Sequence, residues 1–381
     1  MIRQITSYDR SALSLPTGLR AGVFVAAPLL IAIVTGQVGL VFSTLGGLSV
    51  SSSEGHRAAS ASLRVLLIAS LLESVAFGVG TLAGTTGVMA VPLMGLGILL
   101  ALSLAAYPGY VLVAMFTGIL FAVGVGLPGG SVEMAGIRFA FSLAGGLWVL
   151  LGVWLHRYVD SRRPGREKTR PAPSPPTADT PAPRSMSGFL RSGAFGHALI
   201  VSVASAIGLA IGLVLGLPRD FWVVVTIVLA IRPGIGPTVV FTLMIVVGTA
   251  LGAVVAAAIT LGVTNGYLLW VLLLVCSVIL FSVRGVNLGL TQVVLTPFII
   301  ILLNILYPGQ QQLAEVRILD VAIGGAMSVL TVYIMAVRWP KHEAATLAER
   351  APVDPQPSVR QMLNKLARHT QCGAENGIRR P

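Results

Sequence analysis

Residues 116–130, FTGILFAVGVGLPGG, and residues 295–309, LTPFIIILLNILYPG, decide how this chain is read. Both are uncharged and almost wholly apolar, both reach a proline-glycine step, and they align without gaps at an offset of 179 residues. The register continues onward. Ile137-Arg138, six intervening residues and Gly145-Gly146 answer Val316-Arg317, six residues and Gly324-Gly325. The second apolar runs of the two copies correspond more loosely, with Ser43-Thr44 near Thr226 after a small gap. The chain is therefore a duplication whose repeating unit is rich in long apolar stretches.

Composition says what solvent those stretches need. Of 381 residues, 55% are hydrophobic and only 10% are charged, whereas a soluble domain carries roughly 25% charged residues. A formal charge of +12 suggests a nucleic-acid binder at first sight, but the basic residues crowd into three short segments and long stretches hold none. A bilayer core about 30 Å thick takes roughly 20 apolar residues as a helix, because lipid offers the backbone no hydrogen-bond partners. Runs of that kind fall at about 21–37, 38–53, 63–82, 86–106, 108–127 and 136–157, then at 195–216, 220–233, 237–263, 266–283, 285–306 and 315–338. The expected fold is all-α: a polytopic transmembrane helical bundle of about 12 spans, arranged as two parallel six-helix repeats. The first run has the flanks of a signal sequence but no small-residue cleavage site, so it is read as a retained span.

The expected domains are a cytoplasmic N-terminus (1–20), a first membrane bundle (21–157), a linker (158–194), a second bundle (195–338) and a basic tail (339–381). The linker is dominated by proline, serine, alanine and charge, which suits a flexible, partly extended connection. Short loops rich in Lys and Arg stay in the cytoplasm. With both termini and the linker inside, only Arg138, Arg219 and Arg317 of the 26 basic residues fall outside. The implied location is the cell membrane, multi-pass. In the tail, Val359, Met362, Leu363 and Leu366 recur at helical spacing opposite Arg360, Lys365 and Arg368. That pattern fits either an amphipathic helix on the inner leaflet or a marginal solvated helix.

Both repeats begin inside and have an even number of spans, so they run parallel about an axis along the membrane normal. Two such bundles commonly enclose a pathway. The alternative is duplication kept for stability or scaffolding.

In the second half Phe221-Trp222, Thr226 and a turn, Arg232-Pro233-Gly234-Ile235-Gly236-Pro237-Thr238, precede Gly248-Thr249-Ala250-Leu251-Gly252. Arg317, Asp320 and Gly324-Gly325 follow in the last span. This resembles the FUSC group of fusaric-acid-resistance proteins and aromatic acid exporters, with plant aluminium-activated malate transporters as distant relatives. The resemblance covers most of 195–338 and 20–157 more faintly. It implies export of aromatic or other organic carboxylates. Two features depart from the group: Ile245 stands where a basic residue often precedes the Gly-Thr pair, and no sizeable cytoplasmic domain follows.

A charge at mid-bilayer costs about 2.5–3.5 kcal/mol even on lenient scales, so each one needs a partner or water. Arg317 and Asp320 are three apart on one helix, close enough to pair, with Gly324 one turn further along the stripe. Arg317 is a candidate for holding a substrate carboxylate through bidentate hydrogen bonds, with Asp320 competing for it or carrying a proton. The plainer reading is an internal ion pair or a snorkelling arginine. Arg138 occupies the equivalent place in the first half, where Phe141 replaces the acid. Glu73 sits in an apolar span with no basic residue a turn away, which suits reversible protonation or a neutral acid bonded to a neighbouring Ser or Thr. Trp222 would stack on an aromatic substrate or anchor the interface. Thr226 is a further substrate-site candidate. Gly145, Gly146, Gly324, Gly325, Gly248 and Gly252 are expected to let helices pack closely.

Several chemistries are excluded by what the chain lacks. The three lysines, Lys168, Lys341 and Lys365, never follow glycine, so no nucleotide-binding Gly-x4-Gly-Lys loop exists. There is no Ser-His-Asp set, His-Glu-x2-His or Cys-x2-Cys, and the two cysteines, Cys276 and Cys372, are too few for a thiolate metal site. Residues 53–62, SEGHRAASAS, lack the Asp-Arg-x-Gly-Arg signature of major-facilitator carriers. No enzyme, cofactor or metal is expected. The expected partners are the bilayer and a small organic anion, with room for a homo-oligomer and none for nucleic acid. The leading function is a proton-coupled exporter, against a passive organic-anion channel or a non-transporting scaffold.

Overall fold

The computed structural model describes residues 12–54, 62–107, 109–162, 192–307 and 312–338. The N-terminal 1–11, most of the linker and the tail, with its candidate amphipathic helix, lie outside these.

Twelve α-helices make up the described chain. The first half contributes α1 (Leu15–Thr35), α2 (Leu40–Ser53), α3 (Leu63–Gly84), α4 (Ala90–Ser103), α5 (Val111–Gly126) and α6 (Val132–Ser161). The second contributes α7 (Gly193–Val214), α8 (Phe221–Ala230), α9 (Ile235–Gly262), α10 (Gly266–Val283), α11 (Leu288–Leu306) and α12 (Leu313–Arg338). Among the described residues nine helical stretches are long and apolar enough to cross a bilayer, α4 with the 3-10 turns that extend it to Gly87–Ala106; α2, α5 and α8 are shorter. This is a multi-pass membrane protein.

Local chemistry sets the helix starts. Ser62, Ser131 and Ser192 each accept a hydrogen bond from the backbone N–H three residues on, at 3.0–3.3 Å. Asn265 and Asn287 do the same for α10 and α11. These caps satisfy amide protons that neither the helix nor lipid can. Between α8 and α9, Gly234 takes φ +96°, a conformation that side chains disfavour. Outward-facing positions remain apolar, as with Val214, Leu261 and Val88, which in water would be a large liability and in lipid is the matching solvent.

The two halves pack by one plan. Within the first, α3 lies on α5 and α6, and α2 on α6; within the second, α9 lies on α11 and α12, and α8 on α12. Three further pairings cross between halves: α1 packs along α10 and α4 along α7, the two most extensive, and α5 meets α8. The first helix of each half thus rests on the fourth helix of the other. Small residues make both seams. Gly18 and Gly22 of α1 abut Val278 and Ser282, and Gly95 of α4 abuts Ser202 and Ala206. Hydrogen bonds cross them as well: Ser277 Oγ to the Gly22 carbonyl at 3.3 Å, Trp270 Nε1 to the Ala26 carbonyl at 2.9 Å, and Ser202 Oγ to the Gly95 carbonyl. The division at the linker is one of sequence, while in packing the halves interlock.

Candidate functional site

Arg317 stands in the second turn of α12 and Asp320 one turn later, on the face turned toward α8. Gly324 brings that face close, because a Cβ there would lie 2.6 Å from the Val223 carbonyl of α8. Arg317 and Asp320 are 3% and 0% exposed. The pairing expected from their spacing does not form: Arg317 Nε and Nη1 and both carboxyl oxygens of Asp320 lack hydrogen-bond partners. Instead the Arg317 guanidinium lies 3.7 Å from the centroid of the Trp222 ring. A cation over an indole face keeps its edge nitrogens free for another acceptor. Trp222 is buried, at 7% exposure, and so is no interfacial anchor.

More charge gathers around this pair. Arg219, in the connection before α8, places its guanidinium 4.9 Å from the Tyr307 ring, just beyond α11. Tyr307 is also within electrostatic reach of Arg138, and Asp220 of Asp320. In the sequence Arg219 is only a loop charge and Tyr307 only a repeat position, since nothing in an isolated sequence says that a tyrosine after one span faces an arginine before another.

Arg138 is the geometric counterpart of Arg317 but not the chemical one. It donates from Nη1 to Thr81 Oγ1 at 3.1 Å and the Leu127 carbonyl at 3.4 Å, and from Nη2 to the Pro128 carbonyl at 2.6 Å. These acceptors include carbonyls past the C-terminus of α5, which need donors in a lipid-embedded fold. Arg138 is therefore engaged in holding the α5–α6 turn. Its guanidinium lies 5.4 Å from the Phe42 ring. Phe42 and Trp222 thus occupy equivalent places, as do Ser43 and Val223, whose carbonyls face Gly145 and Gly324. The second spans therefore correspond at an offset of 180, one residue from the 179 of the later register, and Thr226 is not the partner of Ser43-Thr44.

Thr226 Oγ1 donates to the Trp222 carbonyl at 2.8 Å, and its side chain packs on Gly324. Thr296 likewise bonds its own helix, whereas Thr117 Oγ1 has no partner. The remaining glycines sit at close contacts: Gly146 against Ser70, Gly325 against Thr242, Gly248 against the Gly289 carbonyl and Gly252 against the Val293 carbonyl.

Glu73 lies elsewhere, in the middle of α3, 1% exposed and accepting a hydrogen bond from Ser53 Oγ at 2.6 Å. Nearby, Glu54 and Arg20 form an ion pair at 2.6 Å, and Arg284 Nη1 donates to the Ser51 carbonyl at 2.7 Å. Arg284 follows α10. Burial pulls its pKa down to about 10, with Glu54 and then Glu73 acting in the opposite direction. Among the described residues no three His, Cys, Asp or Glu side chains gather as metal ligands.

Residues 204–331 match the family described as fusaric acid resistance protein-like. No curated protein and no solved structure matches the chain.

Proposed function

We propose that the chain, whose residues 204–331 match the fusaric acid resistance protein-like family, is a membrane transporter that exports aromatic or other organic carboxylates at the expense of the proton gradient. One observation carries this reading: Arg317 is buried at 3% exposure, stacked on Trp222, and two of its guanidinium nitrogens have no acceptor. A guanidinium in that state is short of an anion, and an indole face beside it suits a flat ring. Asp320, equally without partners, is the group that would take the arginine back, or take a proton, when the carboxylate leaves. The charge distribution favours an orientation with the Arg20 end, the linker and the tail in the cytoplasm and the Arg317 end outside.

The test is flux of a labelled aromatic carboxylate in proteoliposomes under an imposed proton gradient. Arg317→Ala should lower the rate roughly tenfold or more, as loss of a charge-assisted bond implies, and Asp320→Asn should weaken the dependence on the gradient. Normal flux in both folded variants would remove them from the mechanism. Ohmic, pH-independent anion current would indicate a channel, and no flux of any solute would favour the scaffold.

A further inference from the structure

The polar groups at the Arg20 end take no part in the Arg317–Trp222 site, yet they converge on one short stretch. Within four residues the last turn of α2 is held by three different elements. Arg284, brought by the second half, donates to the Ser51 carbonyl at 2.7 Å. Ser53 donates to Glu73 of α3 at 2.6 Å. Glu54 pairs with Arg20 of α1 at 2.6 Å. A cleft lined by Ser14, Thr17, Ser51, Glu54 and Arg284 opens beside this turn. Glu73 sits behind it with its second carboxyl oxygen, Oε2, buried and without a hydrogen-bond partner.

The surroundings of Glu73 are sparse. From α2 come Ser49 and Ser53, from the residue after it Glu54, and from the end of α10 Arg284; α6, packed along α3, carries Glu133 and Arg138 in its first turns and His156, Arg157, Tyr158 and Asp160 in its last, and α3 itself carries Arg64 in its first turn. The facing helices α4 and α5 contain no titratable residue. The equivalent helix of the second half, α9, contains no acid at all. The two halves thus differ: the first carries a buried acid, Glu73, on its third helix, while the buried acid of the second, Asp320, lies on the last helix beside Arg317.

Resting on the transporter reading above, we propose that Glu73 is the site of the coupling proton, and that its protonation state controls whether the last turn of α2 holds the two halves together at the Arg20 end. Protonated, Glu73 is a neutral group that the dry interior accepts with the Ser53 hydroxyl as donor, and the turn stays closed. Loss of the proton from Oε2 leaves a buried carboxylate with too few donors; no other covalent bond forms or breaks. Water must then enter to solvate it, the turn loosens and α10 is free to part from α2. By linkage, opening must lower the proton affinity of Glu73 as much as loss of the proton favours opening. Carboxylate and proton are then handled by different halves of one molecule.

The experiment uses the full chain with Cys276→Ala and Cys372→Ala and a reporter, Ser51→Cys, in the cleft. Labelling by an impermeant maleimide from the Arg20 side is normalised to the same cysteine in denatured protein. The normalised rate is expected to rise several-fold as pH rises, to stay low at every pH in Glu73→Gln, and to titrate with a shifted midpoint in Glu73→Asp. A pH-independent rate in the reporter parent, or an unchanged pH response in Glu73→Gln, overturns the proposal. Flux of labelled phthalate separates the two layers. If gradient-driven flux survives in Glu73→Gln, the proton site falls and the transporter stands. If the reporter behaves as expected but no phthalate crosses, the proton-controlled closure stands and the aromatic-carboxylate reading loses its support.

Discussion

Two arginines in equivalent places differ in what they lack. Arg138 spends its donors on Thr81 and the carbonyls of Leu127 and Pro128, while Arg317 keeps donors unspent over an indole. Their substitution should separate stability from binding. Arg138→Met leaves buried acceptors without donors and should cost about 2 kcal/mol, read as a lower midpoint of thermal unfolding in detergent. Arg317→Met removes a buried charge that has no hydrogen-bonded counter-ion and should leave that midpoint unchanged or raise it, while abolishing the carboxylate binding proposed for this site. An equal loss of stability in both variants would contradict the distinction. The sequence shows both arginines and their shared register, and it shows that neither belongs in lipid. It does not show the difference in employment, because the decisive acceptors are main-chain carbonyls and a ring on other helices. The spacing of Arg317 and Asp320 points toward a hydrogen-bonded ion pair, whereas the two stay within electrostatic reach without one.

At the scale of the helix, glycine decides how near α6 and α12 come to their neighbours. A Cβ on Gly145 would run into the Ser43 backbone of α2, whereas Gly136, on the same helix, has nothing within 4 Å. Gly145→Ala should destabilise by about 1–3 kcal/mol through overpacking. Gly136→Ala should be neutral or stabilise by up to about 1 kcal/mol through helix propensity. Unfolding of the two variants side by side checks this, and equal effects would refute the packing role. Apolar run length and the Gly-Gly repeats make the helices and their close faces legible in advance. Helix ends are less so: α6 extends through Ser161 and α9 begins at Ile235, because caps and turns at the membrane edge blur a hydropathy window. The hub at the end of α2 is illegible for a further reason. Arg20, Glu54 and Arg284 each read as an ordinary flanking charge until the fold brings them together.

For the whole molecule, the duplication announces a two-fold plan but not the exchange of helices within it. Internal similarity fixes which segments correspond; it is silent on whether α1 packs on α4 or on α10. With both seams crossing between halves, neither half should persist alone. A chain cut within the linker and expressed as two pieces should give co-purifying, transport-competent protein only when both are present, with each single piece degraded. Recovery of a stable, monodisperse first half by itself would show that the seams are dispensable.

The interlock also bears on birth. α1 must lie in the bilayer with Gly18 and Gly22 uncovered until α10 is made, about 230 residues later. At ordinary synthesis speeds that is a wait of roughly 10–50 s. Over that interval the nascent α1 presents a narrow small-residue groove to lipid or to whatever insertion factor shelters it, while α4 waits a shorter time, about 90 residues, for α7. A helix of the second half is thus what releases the first from custody.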